Sequence, residues 1–148
     1  MSEILRPATI EDAEIILEWR NDEETRHNSF SKDRIDLETH KKWFKSKLED
    51  RNCFLFMMEM DGERVGQIRL DRVDDVGEIS YTIAPDMRGH GFGKRILSLI
   101  EENVPEGICV IMGMVEEHNI ASKKCFMSNG FAEFFGGGIS CFIKNIAK

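Results

Sequence analysis

The chain has 148 residues, of which 41% are apolar and 32% charged, a composition that predicts one folded domain spanning residues 1–148. Its formal net charge of -7 disfavours general binding to nucleic acid or to an anionic membrane surface. The first residues lack the basic and apolar segments of a secretory signal, and no apolar run is long enough to cross a membrane, so we expect a cytoplasmic protein. Four widely spaced cysteines without a C-x-x-C pair predict free thiols and no metal site.

The first third of the chain predicts one strand and two helices. Residues 4–6 form the short strand, and a helix begins at Thr9, has acids in its first turn and runs to about Asn21. A polar segment follows. Asp36 can cap the second helix, in which Leu37, His40, Phe44 and Leu48 share one face of a 3.6-residue period.

After residue 53 the apolar pattern changes to that of strands. The predicted elements are, in order, a hairpin of Cys53–Met60 and Val65–Val73, a strand at Glu78–Ile83, a helix that contains Ile96–Ile100, a strand at Ile108–Val115, a helix from Asn119 to about Asn129, and a hairpin of Gly130–Phe135 and Ile139–Ile146. This order predicts a mixed α/β fold with a central, mostly antiparallel sheet of six or seven strands and about four flanking helices.

A glycine-rich loop joins the strand 78–83 to the next helix. Because glycine lacks a Cβ, successive backbone N–H groups can face one ligand, and the first turn of the helix adds unpaired N–H groups and a positive dipole end. Such a loop binds phosphate; the alternative is a tight turn without a ligand. Its residues are Arg88, Gly89, His90, Gly91, Phe92, Gly93 and Lys94, followed by the basic Arg95.

Two common phosphate-binding motifs do not match this loop. In a Walker loop that ends at Lys94, the first glycine would fall on Arg88, and Arg95 stands where Ser or Thr is required. In a dinucleotide fingerprint that starts at Gly89, the third glycine would fall on Lys94.

The loop, which follows a strand that ends in Ile83-Ala-Pro, resembles the acyl-CoA pyrophosphate loop of the GNAT N-acetyltransferase superfamily. Asn119-Ile-Ala-Ser122, followed by Gly130-Phe131, is similar to a later element of that family, and the order of elements agrees over the whole chain. The resemblance implies a GNAT-like fold, acetyl-CoA (coenzyme A) as cofactor, and transfer of an acetyl group to a primary amine by direct attack.

The resemblance also implies roles for individual residues. The strand 78–83 would lie beside the pantetheine arm of the cofactor, with Tyr81, Thr82 and Ile83 in contact with it, and the strand 108–115 would splay away to admit it. The N–H of Ile83 would polarise the thioester carbonyl. Backbone N–H groups from Arg88 to Lys94 would hold the pyrophosphate, and the remaining cofactor contacts would come from Asn119, Ser122 and Phe126.

An attacking amine must lose a proton, so the chemistry requires a base. Glu78, Glu116 and His118 are the candidates, because they lie near the ends of the two strands that flank the thioester, and a base can act through one water. The alternative is that Glu78 only forms hydrogen bonds within the sheet, and that Glu116 and His118 are solvated loop residues.

The departing thiolate needs a proton donor, and here the chain departs from the family pattern. Many members place Tyr seven residues after the Asn of the later motif, where this chain has Phe126, and its only Tyr is Tyr81. Either another group or water supplies the proton, or the protein binds acyl-CoA without efficient turnover. We interpret the neighbouring Cys125 as a packing residue.

The acceptor is expected to contact the first two helices and the loop between them. This region resembles a branch that includes amino-sugar N-acetyltransferases of nonulosonic-acid pathways and ribosomal-protein alanine acetyltransferases. Arg20 and Asn21 could bind phosphate or sugar hydroxyls, and an indole ring could stack on a sugar or base; the alternative is that both Trp residues are core anchors. The candidate residues are Trp19, Arg20, Asn21, Phe30, His40 and Trp43.

We therefore expect a monomer or homodimer that acts on a small-molecule amine. The favoured acceptor is a nucleotide-linked amino sugar, because an arginine could bind its negative charge. A protein N-terminus is the alternative acceptor. Neither nucleic acid nor a membrane is an expected partner.

Overall fold

The computed structural model describes residues 2–146, and Met1, Ala147 and Lys148, at the ends of the expected domain, lie outside the described residues. The strands are β1 (Glu3–Pro7), β2 (Cys53–Met60), β3 (Glu63–Val73), β4 (Val76–Ile83), β5 (Val110–Glu116), β6 (Ala132–Gly136) and β7 (Ile139–Asn145). The helices are α1 (Ala13–Asn21), α2 (Glu23–His27), α3 (Leu37–Glu49), α4 (Phe92–Glu102) and α5 (Ile120–Ser128). Short 3-10 turns precede α1 and α4.

All described strands belong to one sheet in the order β1-β2-β3-β4-β5-β7-β6. Neighbouring strands are antiparallel, except that β4 and β5 run parallel. A parallel pair cannot be joined by a tight turn, so the chain crosses from β4 to β5 through the glycine loop and α4. This crossover places the loop beside the one parallel pair of the sheet.

Helices cover both faces of the sheet. On one face, Ile96, Leu97 and Ile100 of α4 and Phe126 of α5 pack against apolar residues of β3, β4, β5 and β7. On the other face, α1 and α3 contribute Ile16, Trp19 and Phe44 to a second cluster that includes Leu55 and Met57 of β2. None of the helices within residues 2–146 has the length and apolar composition needed to span a bilayer.

The expected mixed α/β fold is confirmed, and each predicted strand and helix is present with small shifts at its ends. Asp36 caps α3 as predicted, with its carboxylate accepting the N–H of Thr39 at 2.9 Å. The sequence interpretation missed α2, which the polar segment after residue 21 forms. This helix has only five residues and buries none of them, so it leaves no apolar period in the sequence.

Asp12, just before α1, forms hydrogen bonds that connect this helix to strands of the sheet. Its carboxylate is almost completely buried, accepts both terminal nitrogens of Arg6 at 2.9 Å and the N–H of Thr9 at 2.8 Å, and contacts Arg64 at 3.2 Å. Burial by itself would raise the pKa of Asp12, but hydrogen bonds from Arg6, Thr9 and Arg64 outweigh it and hold the pKa below its usual value.

We predict that Asp12→Asn destabilises the protein by about 2–3 kcal/mol at neutral pH, because it leaves two partly exposed arginines without their buried counter-charge. A carboxylate with a lowered pKa in the folded state stabilises the protein above its unfolded pKa of about 4, and that contribution is lost as the pH falls through the folded pKa. The difference in unfolding free energy between the two proteins should therefore shrink below about pH 4.

Urea unfolding from pH 7 to pH 2 measures this difference. Asp33→Asn, which changes an exposed carboxylate, is the matched control and should follow the wild type throughout. A difference between Asp12→Asn and wild type that stays constant to pH 2 would contradict the role of the Asp12 charge.

Candidate active site

β4 and β5 form an opening in the sheet. Their parallel pairing ends at Ile79 and Gly113, although β4 continues to Ile83 and β5 continues to Glu116. The last residues of the two strands therefore diverge, as the sequence comparison with the GNAT family led us to expect.

The register of β3 and β4 determines which backbone groups face this opening. The N–H of Ala84 donates to the carbonyl oxygen of Val65 at 2.8 Å, and bonding alternates along an antiparallel pair. The amide of Thr82 therefore also faces β3, whereas the amides of Tyr81 and Ile83 face the opening. Both amides are positioned to bond to an extended ligand that lies where β5 has moved away.

The glycine loop follows β4 directly, and its glycines have two different functions. Gly89 and Gly91 have left-handed backbone angles, with φ of +79° and +81°, and a Cβ at either would meet no atom within 4 Å. Gly93 lies in the first turn of α4, where a Cβ would come within 2.9 Å of the Cys125 sulfur. The first two glycines thus shape the loop beside open space, and the third allows α4 and α5 to pack closely.

Two of the basic side chains of this segment form ion pairs within the fold, and one of them is Arg95, which contacts Glu3. Arg88 is not free for a phosphate, because its guanidinium contacts Asp22 at 2.6 Å, Thr25 at 2.8 Å and Glu24 at 3.0 Å. Its hydrogen bond to Asp22 holds the pKa of that carboxyl below its usual value. Lys94 is exposed and forms no ion pair with residues 2–146, so its charge remains available.

Two adjoining cavities lie along the opening. One of about 440 Å³ lies between the glycine loop and α5 and includes Gly89, Gly91 and Gly93 in its lining. The other, of about 350 Å³, lies over the diverging strands. They share the lining residues Asn28, Ser29, Tyr81, Thr82, Asn119 and Ser122. A ligand held by the loop can therefore extend past β4 into the second cavity.

The shared wall contains a hydroxyl pair. The Tyr81 hydroxyl lies 2.8 Å from the Ser122 hydroxyl, and Asn119 caps α5 by accepting the N–H of Ser122 at 3.3 Å. Burial raises the pKa of Tyr81, so its phenol stays protonated at neutral pH. Burial also raises the pKa of the neighbouring Cys125 thiol, which agrees with its predicted packing role.

Among the three candidate bases, only Glu78 lines the second cavity. It is exposed there and forms no ion pair with any residue in the described part of the chain. Glu116 instead pairs with Lys32 at 3.0 Å and with His118 at 3.3 Å, and both candidates line a separate hollow. The structure therefore does not bring Glu116 and His118 together with Glu78.

Three of the predicted acceptor residues have packing roles. Trp19 is 5% exposed in the second core cluster, and the buried His40 ring nitrogen lies 2.9 Å from the carbonyl oxygen of Ala13. The amide of Asn21 bonds to the N–H and the carbonyl of Ile35 at 2.9 and 2.8 Å. These side chains are committed to the fold, which corrects the expectation that they bind the acceptor.

The other predicted acceptor residues do lie near the second cavity. Arg20 and Phe30 line it, and the guanidinium carbon of Arg20 lies 5.8 Å from the centre of the Trp43 ring. Sequence reasoning missed Gln67 and Arg69 of β3, which line the same cavity. Their alternate spacing, and the polar residues opposite them on β4, could have indicated a shared polar face.

Phe126 packs in the core and also lines the second cavity, so its predicted contact with the cofactor stays a prediction. It is 2% exposed, stacks on Phe142 at 5.1 Å and meets the edge of Phe131 at 5.0 Å. A Cβ on Gly113 would lie 2.4 Å from the tip of its ring. The ring therefore occupies the space that the glycine leaves below β5.

A larger hollow of about 1300 Å³ lies elsewhere, between α1 and the turn that joins β2 to β3. Carboxylates dominate its charged lining, which makes it a poor site for a phosphate. Its acidic residues are Glu11, Glu14, Glu18, Asp22, Glu63 and Asp86.

The cleft thus combines a phosphate cradle with strand amides that open onto a polar cavity, a donor set suited to a long, phosphate-bearing ligand such as acetyl-CoA. A family model described as "Acetyltransferase (GNAT) domain" matches residues 4–132. The chain belongs to the GNAT acetyltransferase family. It is accordingly an acetyl-CoA-dependent N-acetyltransferase, as the sequence motifs indicated. A comparison with curated protein sequences finds no match.

Solved structures with the same fold include several acetyltransferases. Spermidine N-acetyltransferase from Vibrio cholerae, in complex with CoA and spermine, has a TM-score of 0.85 at 17% identity, with 97% of this chain and 95% of that chain covered. An aminoglycoside acetyltransferase in complex with coenzyme A has a TM-score of 0.83 at 18% identity, with 97% and 95% covered. Ribosomal-protein-alanine N-acetyltransferase from Brucella melitensis has a TM-score of 0.76 at 24% identity, with 95% and 96% covered. At these identities the likeness concerns the fold of this GNAT protein.

We predict that Gly91→Ala weakens binding of acetyl-CoA about tenfold. An L-residue in the left-handed region costs about 1–2 kcal/mol, so the loop relaxes and turns its amides away from the cradle geometry. Titration calorimetry with acetyl-CoA measures the change. Gly62→Ala is the matched control, because Gly62 has a φ of +86° and equally open space but lies in the β2–β3 turn. Equal affinities for the two variants would contradict the cradle.

We predict that Phe126→Tyr lowers the unfolding free energy by about 1–3 kcal/mol and does not increase turnover. The added hydroxyl would project from the ring tip toward the backbone of Gly113, where there is no room for it. Thermal unfolding and an acetyl-CoA turnover assay measure the two effects. Phe134→Tyr, at a ring that is 61% exposed, is the control and should leave stability unchanged. A faster Phe126→Tyr enzyme would place this position in the reaction.

Proposed function

We propose that this GNAT enzyme acetylates the primary amine of a small molecule that occupies the cavity over the diverging strands. The observation that carries the proposal is that the amides of Tyr81 and Ile83 face the opening between the glycine loop and the cavity that contains Glu78. When bound, acetyl-CoA supplies the acetyl group in activated form, as a thioester.

The glycine loop would hold the pyrophosphate of the cofactor. The N–H groups near Gly89 and Gly91, and those in the first turn of α4, provide donors and a positive dipole end without a side chain in the way. His90 and Arg88 support the loop from within, because the His90 ring nitrogen donates to the carbonyl oxygen of Arg88 at 2.9 Å. Lys94 would add the mobile positive charge.

The exposed edge of β4 would orient the pantetheine arm and the acetyl group. Tyr81 and Ile83 offer backbone donors and acceptors in the pattern of an added strand. Of the two amides, that of Ile83 is the one we assign to the carbonyl oxygen of the thioester, where it would stabilise negative charge. The side chains of Asn119 and Ser122 would line the opposite wall.

Glu78 would accept the proton from the attacking amine, directly or through one water. It is the only one of the three candidate bases that faces the second cavity and is free of an ion pair with residues 2–146. Glu116 and His118 would serve instead to hold the loop after α2, through Lys32 and the carbonyl of His27.

We propose a nucleotide-linked amino sugar as the acceptor. The second cavity is open, polar and lined by the guanidiniums of Arg20 and Arg69, which suit a sugar amine with an attached phosphate. That an aminoglycoside acetyltransferase has the same fold supports this proposal. A protein N-terminus, the alternative acceptor, would have to thread past the arginines of this cavity.

Phe126 favours a second candidate, a module that binds acyl-CoA without turnover. Its ring is buried and carries no hydroxyl, so this position supplies no proton to the departing thiolate. Tight binding of acetyl-CoA with no release of free thiol in the presence of any amine would favour this candidate over the enzyme.

We predict that purified protein releases CoA thiol from acetyl-CoA with at least one amine from a panel of UDP-4-amino sugars, peptides with free N-termini and polyamines. The UDP-4-amino sugars should react fastest. Glu78→Gln should lower kcat about 10²-fold and change the acceptor KM much less, because it removes the base and keeps the shape of the cavity.

Glu116→Gln is the matched control and should keep the wild-type kcat, since Glu116 faces another hollow. A Glu78→Gln variant with wild-type kcat at every pH would remove Glu78 from the mechanism. Loss of activity in Glu116→Gln alone would move the base to that position.

A further inference from the structure

We propose that Arg20 and Arg69 form a subsite for an oxyanion, a carboxylate or a phosphate, that belongs to the same small molecule as the acetylated amine. The inference rests on the acetyl-transfer function proposed above and restricts its substrates to acidic amines. Both arginines line the cavity that contains Glu78.

Arg20 is a half-buried guanidinium without a counter-ion. Among residues 2–146, no carboxylate or carbonyl oxygen lies within bonding distance of it, whereas Arg6, Arg69 and Arg88 each contact a carboxylate at 3.0 Å or less. Burial, followed by the nearby charge of Arg69, lowers the pKa of Arg20. A buried charge without a partner costs free energy, which an oxyanion bound in the cavity would offset.

Arg69 is held in place next to Arg20. Its Nε donates to Asp71 at 2.7 Å, and one of its terminal nitrogens lies 3.4 Å from the Ser80 hydroxyl. The guanidinium carbons of Arg69 and Arg20 lie 5.1 and 5.8 Å from the centre of the Trp43 ring. Both guanidiniums thus lie against the same indole, and the charge of Arg69 is close enough to lower the pKa of Arg20. A group with several anionic oxygens, bound in the cavity that both arginines line, can accept hydrogen bonds from both.

The distance to Glu78 limits the size of the acceptor. Ser80 is paired with Arg69 across the strands, and Glu78 lies two residues earlier on the same face of β4, so the backbone positions of Ser80 and Glu78 are about 7 Å apart. An amine at Glu78 and an oxyanion at the arginines can therefore belong to one compact molecule. Linear polyamines fit poorly, because their second cationic group would meet the two guanidiniums.

Equilibrium binding in the presence of saturating coenzyme A tests the subsite with two matched ligand pairs. Glucosamine 6-phosphate and glucosamine differ by a phosphate, and an α-amino acid and its amide differ by a carboxylate. We expect the anionic member of at least one pair to bind about tenfold more tightly than its neutral partner. The pair that shows the preference identifies the oxyanion, and no preference in either pair overturns the proposal.

Substitutions assign the preference to Arg20. Arg20→Gln should abolish it, and Arg20→Lys should retain part of it, because lysine keeps the charge but loses the two-pronged geometry. Arg51→Gln, at an exposed turn residue, removes the same net charge and should keep the full preference. An Arg20→Gln protein that remains folded and keeps the preference would contradict the assignment.

The same proteins separate this inference from the proposed enzyme function. One outcome is that neutral and anionic amines bind equally tightly and release CoA thiol at the same rate. That outcome would overturn the subsite and leave acetyl transfer intact. Preferential binding of an anionic amine, without thiol release from acetyl-CoA with any amine, would support the subsite and reject the enzyme function.

Discussion

The functional half of the structure depends on two strand amides that lack a partner strand. The pairing of β4 with β5 ends at Ile79 and Gly113, yet β4 continues and turns the amides of Tyr81 and Ile83 toward the opening. Protein folds rarely leave such groups unpaired away from water. The buried Phe126 ring packs against β5 at Gly113, the last residue of β5 that pairs with β4. The packed core on one side and the unpaired edge of β4 on the other thus form a site. A ligand can bind there in the place of a neighbouring strand.

Charge is distributed so that an acidic protein can hold anionic ligands. Arg6, Arg64 and Arg88 are neutralised by nearby carboxylates and serve the fold. The glycine loop offers mainly backbone N–H groups, which carry no net charge and do not form ion pairs with surface acids. Arg20 is partly buried against Trp43 and has no counter-ion among residues 2–146. The net charge of -7 thus describes the outer surface and not the cleft.

Local patterns predicted the elements well, because apolar period and turn residues determine them over short distances. The same patterns could not assign side chains to a face. Trp19 and Arg20 are adjacent, yet one belongs to the core and the other to the cavity. Asp22, the partner of Arg88, lies 66 residues away in the chain, and Arg64, one of the partners of Asp12, lies 52 residues away, so no sequence window contains these pairs. α2 was missed because it is short and buries no residue, so it leaves no apolar period in the sequence.

Arg88 connects the two halves of the cleft. Its guanidinium binds the Thr25 hydroxyl, and Ser29, which lines both cavities, donates to the Thr25 carbonyl at 2.6 Å. α2 buries no side chain that would anchor it independently. The segment after α2, which forms one wall of the second cavity, is therefore linked to the glycine loop through Arg88 and to β5 through the ion pair of Lys32 with Glu116. A shift of the glycine loop would therefore reach this wall through two side-chain contacts, those of Arg88 and Ser29 with Thr25.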